Sequence, residues 1–401
     1  MNAGSAEWRL GGAAIAMIGV SYGFARYGYG LFEPQIREVF GLSVGASGAI
    51  ASGAYLGYAL ALGAVGMLAD RLGPRPLVIA AGVSAALGMA LVVLAEQPWQ
   101  LLAGVTVAGA SSGFAWSPYS DAVDQLVAPA RRPALLAAIP SGTAFAITAA
   151  GGLALSGVGT WRGAWTAFCG IAVLATACNA WLLRGTKPAP RMAGRTSLRF
   201  FLRPGTAALY STALSYGVVG AVYWTFAVAA ISGAAEATAG LVFWTLLGIA
   251  GITAIGAGRV FARLGLRRSH ALLFSALGVA TALIAAAPGW WPAIGISAIA
   301  YGFAFMATSG LLAVWSYRVF PDRPAVGFTA TVLFLGVGAI IGPVLFGALA
   351  DLWSLRAVLL LAAAVAMATL GAGPRRTAAL IHRQVAEHQP EQNVPGREAE
   401  R

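Results

Sequence analysis

The chain has 401 residues, 59% of them hydrophobic and only 10% charged, where a soluble domain carries about 25% charged residues. It lacks the polar groups to cover a water-facing surface, which excludes an ordinary soluble enzyme or nucleic-acid-binding domain. The formal net charge of +12 reflects where the basic residues stand along the chain rather than a polyanionic partner.

About twelve apolar runs follow one another, near 11–32, 47–69, 77–95, 99–121, 133–157, 163–184, 205–231, 238–261, 270–287, 291–318, 325–350 and 354–373. A helix crossing the hydrocarbon core needs roughly 20 such residues. Only helices and closed barrels satisfy their backbone in lipid, so the runs predict a polytopic α-helical protein. The first run is too long for a signal peptide and carries Arg26 within it, so it reads as a retained span. Between the second and third runs stands Gly66-Met-Leu-Ala-Asp-Arg-Leu-Gly-Pro-Arg-Pro76, a knot of charge and turn residues. The fourth run ends on Asp121 and Asp124. The sixth holds Cys169 and Cys178, which read as packing residues with no disulfide or metal pattern. By this count His270, His382 and His388 fall in loops or the tail.

The basic residues collect in alternate loops. Arg71 and Arg75 stand in one, then Arg131 and Arg132. Arg184, Lys187, Arg191, Arg195, Arg199 and Arg203 stand in the middle loop. Arg263, Arg267 and Arg268 follow, then Arg318 and Arg323, then Arg375, Arg376 and Arg383. The opposite loops carry Arg37, Arg162 and Arg356. That bias places both termini in the cytoplasm, in a multi-pass protein of the cytoplasmic (inner) membrane.

The second half of the chain repeats the first. Ser21-Tyr22-Gly23 recurs as Ser215-Tyr216-Gly217. Gly66…Arg71-Leu72-Gly73…Arg75 recurs as Gly258…Arg263-Leu264-Gly265…Arg267. Gly113-Phe114-Ala115 recurs as Gly302-Phe303-Ala304, and Arg162 as Arg356. Four matches in order at nearly one offset predict two six-helix halves in parallel orientation, an arrangement known from transporters. The expected units are a first bundle over 1–184, a cytoplasmic linker over 185–204, a second bundle over 205–373 and a disordered polar tail over 374–401.

The Gly66–Pro76 stretch resembles the signature of the major facilitator superfamily, G-x-L-a-D-r-x-G-r-[KR], between the second and third helices. Gly66, Leu68, Asp70, Arg71, Gly73 and Arg75 match; Pro74 departs where a basic residue is usual. The resemblance implies twelve transmembrane helices in two pseudo-symmetric six-helix bundles. It also implies that this loop, with Gly66, Asp70, Arg71, Gly73 and Arg75, gates the cytoplasmic side. Asp70 receives a helix end or an arginine from the other half. In the second copy Ala262 replaces the acid, so the expected latch is one-sided. The family's drug/proton antiporters carry an arginine in the fourth helix and a GP motif in the fifth. Here the fourth run has no arginine, the fifth reads AITAAGG at Ala146–Gly152, and Gly342-Pro343 stands in the eleventh.

Residues at i, i+4, i+7 and i+11 share a helix face. In the first run these are Tyr22, Arg26, Tyr29 and Glu33, and in the seventh Tyr216, Gly220, Tyr223 and Ala227. An arginine near the bilayer centre costs at least ~2.5 kcal/mol and demands a partner, so Arg26 is either a substrate contact or half of an ion pair. Ser112, Trp116 and Tyr119 in the fourth run, and Tyr301, Phe305 and Thr308 in the tenth, add aromatic surface. The candidate substrate-binding set is Tyr22, Arg26, Tyr29, Trp116, Tyr216, Tyr223 and Phe305, with Glu33 as the candidate coupling residue.

No H-E-x-x-H, GxSxG or Walker A motif is present, so neither an enzyme nor a directly ATP-driven pump is expected. The first functional reading is a monomeric secondary transporter of a small organic solute, working by alternating access as a proton-coupled efflux carrier without a cofactor. The alternative is uptake or exchange of a small organic anion or carboxylate read by Arg26. A non-transporting membrane sensor or scaffold is the distant third.

Overall fold

The computed structural model describes residues 3–156, 160–188 and 197–374. Tail residues 375–401 and linker residues 189–196, including Arg191, Arg195, Arg375, Arg376, Arg383, His382 and His388, lie outside the described residues.

Every apolar run falls on helix. In chain order the helices are α1 (Ala3–Ile18), α2 (Gly28–Phe40), α3 (Val44–Leu72), α4 (Pro74–Leu94), α5 (Pro98–Leu126), α6 (Arg132–Ala138), α7 (Ser141–Leu155), α8 (Trp161–Leu182), α9 (Thr206–Ser232), α10 (Ala237–Ile252), α11 (Ala257–Ala286), α12 (Trp291–Val319), α13 (Pro324–Leu352) and α14 (Leu355–Ala368). Among the described residues nine helical stretches are long and apolar enough to cross a membrane, and one of them, Thr238–Ala286, is 49 residues long. That stretch holds the eighth and ninth runs and bends at Gly265, whose φ of 75° is not helical. The first run is split between α1 and α2, and the fourth is α5, whose polar residues lower its mean hydropathy.

α3 packs on α5, α5 on α4 and α4 on α8, and in the second half α9 packs on α13, α12 on α10 and α11, and α11 on α14; α3 meets α13, α7 meets α10 and α2 meets α9 across the two bundles. The molecule is therefore an all-α polytopic protein built as two six-helix bundles.

The internal repeat survives in backbone geometry. Gly73 has φ 72°, ψ −179° and its repeat mate Gly265 has φ 75°, ψ 160°. A side chain at such angles costs of order 1–3 kcal/mol. At Gly73 a Cβ would also stand 2.9 Å from Pro188 N, whereas at Gly265 nothing lies within 4 Å. Thermal unfolding in detergent is therefore expected to show Gly73→Ala destabilised by roughly 1–3 kcal/mol, and Gly265→Ala by less.

The expectation of a loop position for His270 is corrected: it is buried inside α11, against Phe274 and Trp315. The helix runs on through the short polar stretch after Gly265, because Leu266, Leu273 and Phe274 keep a buried stripe on it.

Candidate functional site

The first span is broken where Arg26 stands. After α1 the chain makes one wide π-helical turn over Gly19–Phe24, then a short turn, and restarts as α2. The Ala25 amide donates to Val20 O at 2.9 Å and the Tyr27 amide to Tyr22 O at 3.1 Å, both five residues back. Such wide turns cluster at functional sites. Gly23 lets the chain turn beside α7, where a Cβ would collide with Ala146.

The break rotates α2 relative to α1, so the expected single face of Tyr22, Arg26, Tyr29 and Glu33 does not form. Tyr22 and Arg26 go one way, Tyr29 and Glu33 another. The Arg26 guanidinium lies inside four tyrosine rings, with Cζ 4.3 Å from the centroid of Tyr58, 4.7 Å from Tyr55 and 5.5 Å from both Tyr22 and Tyr27. Arg26 is 6% exposed and makes no salt bridge among the described residues. Desolvated cation–π contacts are worth about 0.5–2 kcal/mol each, so four of them match the roughly 2.5–3.5 kcal/mol cost of a mid-membrane arginine. The cage explains how the charge is buried without a carboxylate. The guanidinium donors lie in the plane of the group. Nε is buried with no hydrogen-bond partner among the described residues.

The nearest ring is therefore the one to remove. Tyr58→Leu is expected to lower stability by about 2 kcal/mol through the lost cation–π contact, and Tyr58→Phe by much less. Thermal unfolding of the two variants in parallel is the check.

Tyr27 also faces the second bundle. It stacks on Trp224 of α9 at 4.6 Å, and Phe305 of α12 meets Tyr27, Trp224 and Tyr216 at 6.2, 5.3 and 4.8 Å. The Tyr216 hydroxyl donates to Phe305 O at 2.8 Å. Gly30 lets α2 lie against α9, since a Cβ there would collide with Trp224 O. The cleft left between Arg26, Tyr55 and Trp224 is only about 10 Å³, room for one water at most.

The other predicted residues separate. The Tyr29 hydroxyl pairs with Ser47 Oγ at 2.9 Å, and Ser47 Oγ donates to Glu33 Oε1 at 2.6 Å. Glu33 is fully buried, with Arg37 Nε 3.3 Å from Oε1, and its Oε2 has no hydrogen-bond partner among the described residues. Arg26 and Glu33 are thus not an ion pair. Tyr223 stacks on Tyr301 at 3.5 Å and bonds Ser297 Oγ at 2.6 Å, inside the second bundle. Tyr119 donates to Asn179 Oδ1 at 2.6 Å, inside the first. Trp116 is 37% exposed on α5.

The two bundles pack closely where α3 starts and α13 finishes, the closed end of this helix pair. At the closed end α3 presents Gly45, Gly48 and Ser52 to α13. A Cβ on Gly48 would collide with Pro343 O. Because Pro343 opens the α13 ladder, Ser52 Oγ inserts there, donating to Ile340 O at 2.7 Å and accepting from Val344 N at 3.1 Å. Further along α3, Gly63 and Gly66 have nothing within 4 Å of an added Cβ. Toward the same end of α13, Leu333 is exposed. In the signature loop at that end of α3, Arg75 Nε donates to Ala180 O at 2.9 Å, inside its own bundle, and Arg71 is exposed.

Reading the sequence missed Tyr27, Tyr55, Tyr58 and Trp224. Tyr27 adjoins Arg26, and Tyr55 and Tyr58 are an i, i+3 pair on the next span, a signal available once a partner for Arg26 is sought in neighbouring runs.

Paired helix bundles meeting at a broken helix that carries a buried arginine define a secondary-transporter architecture. The Major Facilitator Superfamily model matches residues 15–323, and the chain belongs to that superfamily. Solved structures of similar fold include a mutant form of the nucleoside transporter NupG, with a TM-score of 0.77 at 12% identity over 92% of this chain and 98% of that one. Another is a bacterial homologue of the human lysosomal transporter Spinster, inward-facing and unoccupied, with a TM-score of 0.69 at 15% identity over 92% and 94%. No curated protein matches the chain by sequence.

Proposed function

We propose that the protein carries a small organic anion across the membrane by alternating access, with Arg26 as the group that reads the negative charge. The observation that carries this reading is the tyrosine cage with a buried, unpartnered guanidinium donor at the junction of the bundles. Aromatic walls bury the organic part of a solute, and a carboxylate takes the edge of the guanidinium as a charge-assisted, directional acceptor. The proposed contact set is Arg26, Tyr22 and Trp116, with Tyr216 and Phe305 reached from the second bundle. Tyr29 and Tyr223 are proposed as supports, since each is engaged within its own bundle.

The basic loops place the Gly66 end of the molecule, where α3 makes no close approach at Gly63 and Gly66, in the cytoplasm. The chain is then proposed to face inward in this state, in the cytoplasmic membrane, as a monomer. The signature residues Gly66, Asp70, Arg71, Gly73 and Arg75 are proposed to close that end when the carrier turns outward. The proposed bundle boundaries are 1–184 and 205–373.

Proton-coupled efflux is a second reading, favoured by one observation: Glu33 is a fully buried carboxylate on the Ser47 hydroxyl, beside the closed end. A group so placed changes environment when that end opens, which is what coupling requires.

The test is ligand-induced thermal stabilisation of the purified protein by panels of organic anions, cations and neutral amphiphiles. Stabilisation by anions that is lost in Arg26→Gln supports the anion carrier. Equal stabilisation of both proteins by cations or neutral amphiphiles overturns it. A sensor or scaffold predicts no solute flux at all.

A further inference from the structure

The closed end carries a contact outside the superfamily signature. Asp351, the penultimate residue of α13, reaches over to the start of α3 on the other bundle. Ser43 Oγ donates to Oδ2 at 2.7 Å, the Val44 amide to Oδ1 at 2.9 Å and the Gly45 amide to Oδ2 at 2.9 Å. Ser43 is itself the N-cap of α3, accepting from the Ala46 amide at 3.1 Å. A helix start presents unpaired amides and a partial positive charge. Here an acid 308 residues from Ser43 along the chain satisfies two of those amides. The approach leaves room for no side chain: a Cβ on Gly45 would stand 2.5 Å from Asp351 Oδ2, and one on Gly347 would stand 2.9 Å from Val44 O.

The sequence around this acid copies the signature loop. Gly347-Ala348-Leu349-Ala350-Asp351 repeats the Gly66-Met67-Leu68-Ala69-Asp70 pattern in four of five positions. The two pentapeptides end helices α13 and α3 at opposite ends of the pair. The glycine opens the close approach, and the acid one turn later lies on the same face.

We propose that Asp351 is the outer latch of this carrier: its carboxylate, by capping the start of α3, holds the two bundles together at the outer end, and each cycle breaks and remakes that cap. This rests on the carrier reading above for its direction, but the contact itself does not depend on the identity of the solute. The hydrogen bonds are at the surface, so the latch is weak enough to be broken in every turnover. Loss of an N-cap shifts such an equilibrium by roughly three- to tenfold.

The test uses full-length protein with Cys169 and Cys178 replaced by alanine and one reporter, Ala51→Cys. Ala51 is buried beneath the latch, beside the cleft at Arg26 and Trp224. A membrane-impermeant maleimide is added to intact cells and, separately, to inside-out vesicles. Asp351→Asn is expected to raise the labelling rate in intact cells roughly three- to tenfold. Ser43→Ala, which removes one donor and leaves the acid, is expected to raise it by a smaller factor in the same direction. It stands in for Asp351→Asn if that variant does not reach the membrane. An increase confined to inside-out vesicles keeps the latch and overturns the orientation. Rates unchanged on both sides in either folded variant overturn the latch, whether or not any solute is carried.

Discussion

Arg26→Gln is expected to lower solute flux in proteoliposomes by roughly 100-fold while leaving a folded, monodisperse protein. Removing one partner of a buried charge-assisted contact costs about 2–5 kcal/mol, and every ~1.4 kcal/mol is a factor of ten. Folding survives because the cage does not need the charge. The rings of Tyr22, Tyr27, Tyr55 and Tyr58 pack on one another and on their neighbours, and a shorter uncharged amide lowers the cost of burial there. Arg26→Lys is the discriminating companion. It keeps the charge and loses the planar fork, so an anion read by bidentate geometry loses flux in both variants, whereas one read by charge alone recovers with lysine. Full flux in Arg26→Gln would make the arginine a packing element and the anion reading wrong.

Gly48→Val is expected to unlock the closed end. In this state no side chain fits at position 48, since the obstructing atom is the carbonyl of Pro343 on the facing helix. Backbone on both sides cannot step aside within the packed interface, and overpacking costs typically about 1–3 kcal/mol. Parting of α3 from α13 relieves the clash entirely. The variant therefore favours the outward-open form by roughly 5- to 150-fold, with transport stalled and solute binding retained. Maleimide labelling of Ala51→Cys from outside, with flux measured in parallel, reads both effects. Normal flux with unchanged labelling would show that the two helices do not need this approach.

Some of these features are legible along the chain and others are not, for a physical reason. Composition alone decides that this chain lives in lipid, because apolar surface in such excess has no stable arrangement in water. The positions of glycine and arginine at nearly constant offsets reveal the duplication, and Gly73 and Gly265 show it again as matched positive φ values. The signature loop and Arg26 are legible because a charge inside an apolar run is costly wherever it falls.

The sequence could not say which way Arg26 points. Helical periodicity assumes about 100° per residue, and the wide turn at Gly19–Phe24 breaks that count just before the arginine. Two of its four ring partners come from α3, a different span, so no spacing within the first run encodes them. The same holds for Asp351, an ordinary acid at a helix end until α13 meets α3. Local chemistry in this protein determines the medium, the repeat and the charged candidates. Contacts between distant segments decide the cage, the split between Arg26 and Glu33, and which end of the molecule is closed, because each depends on how two helices approach rather than on what either one contains.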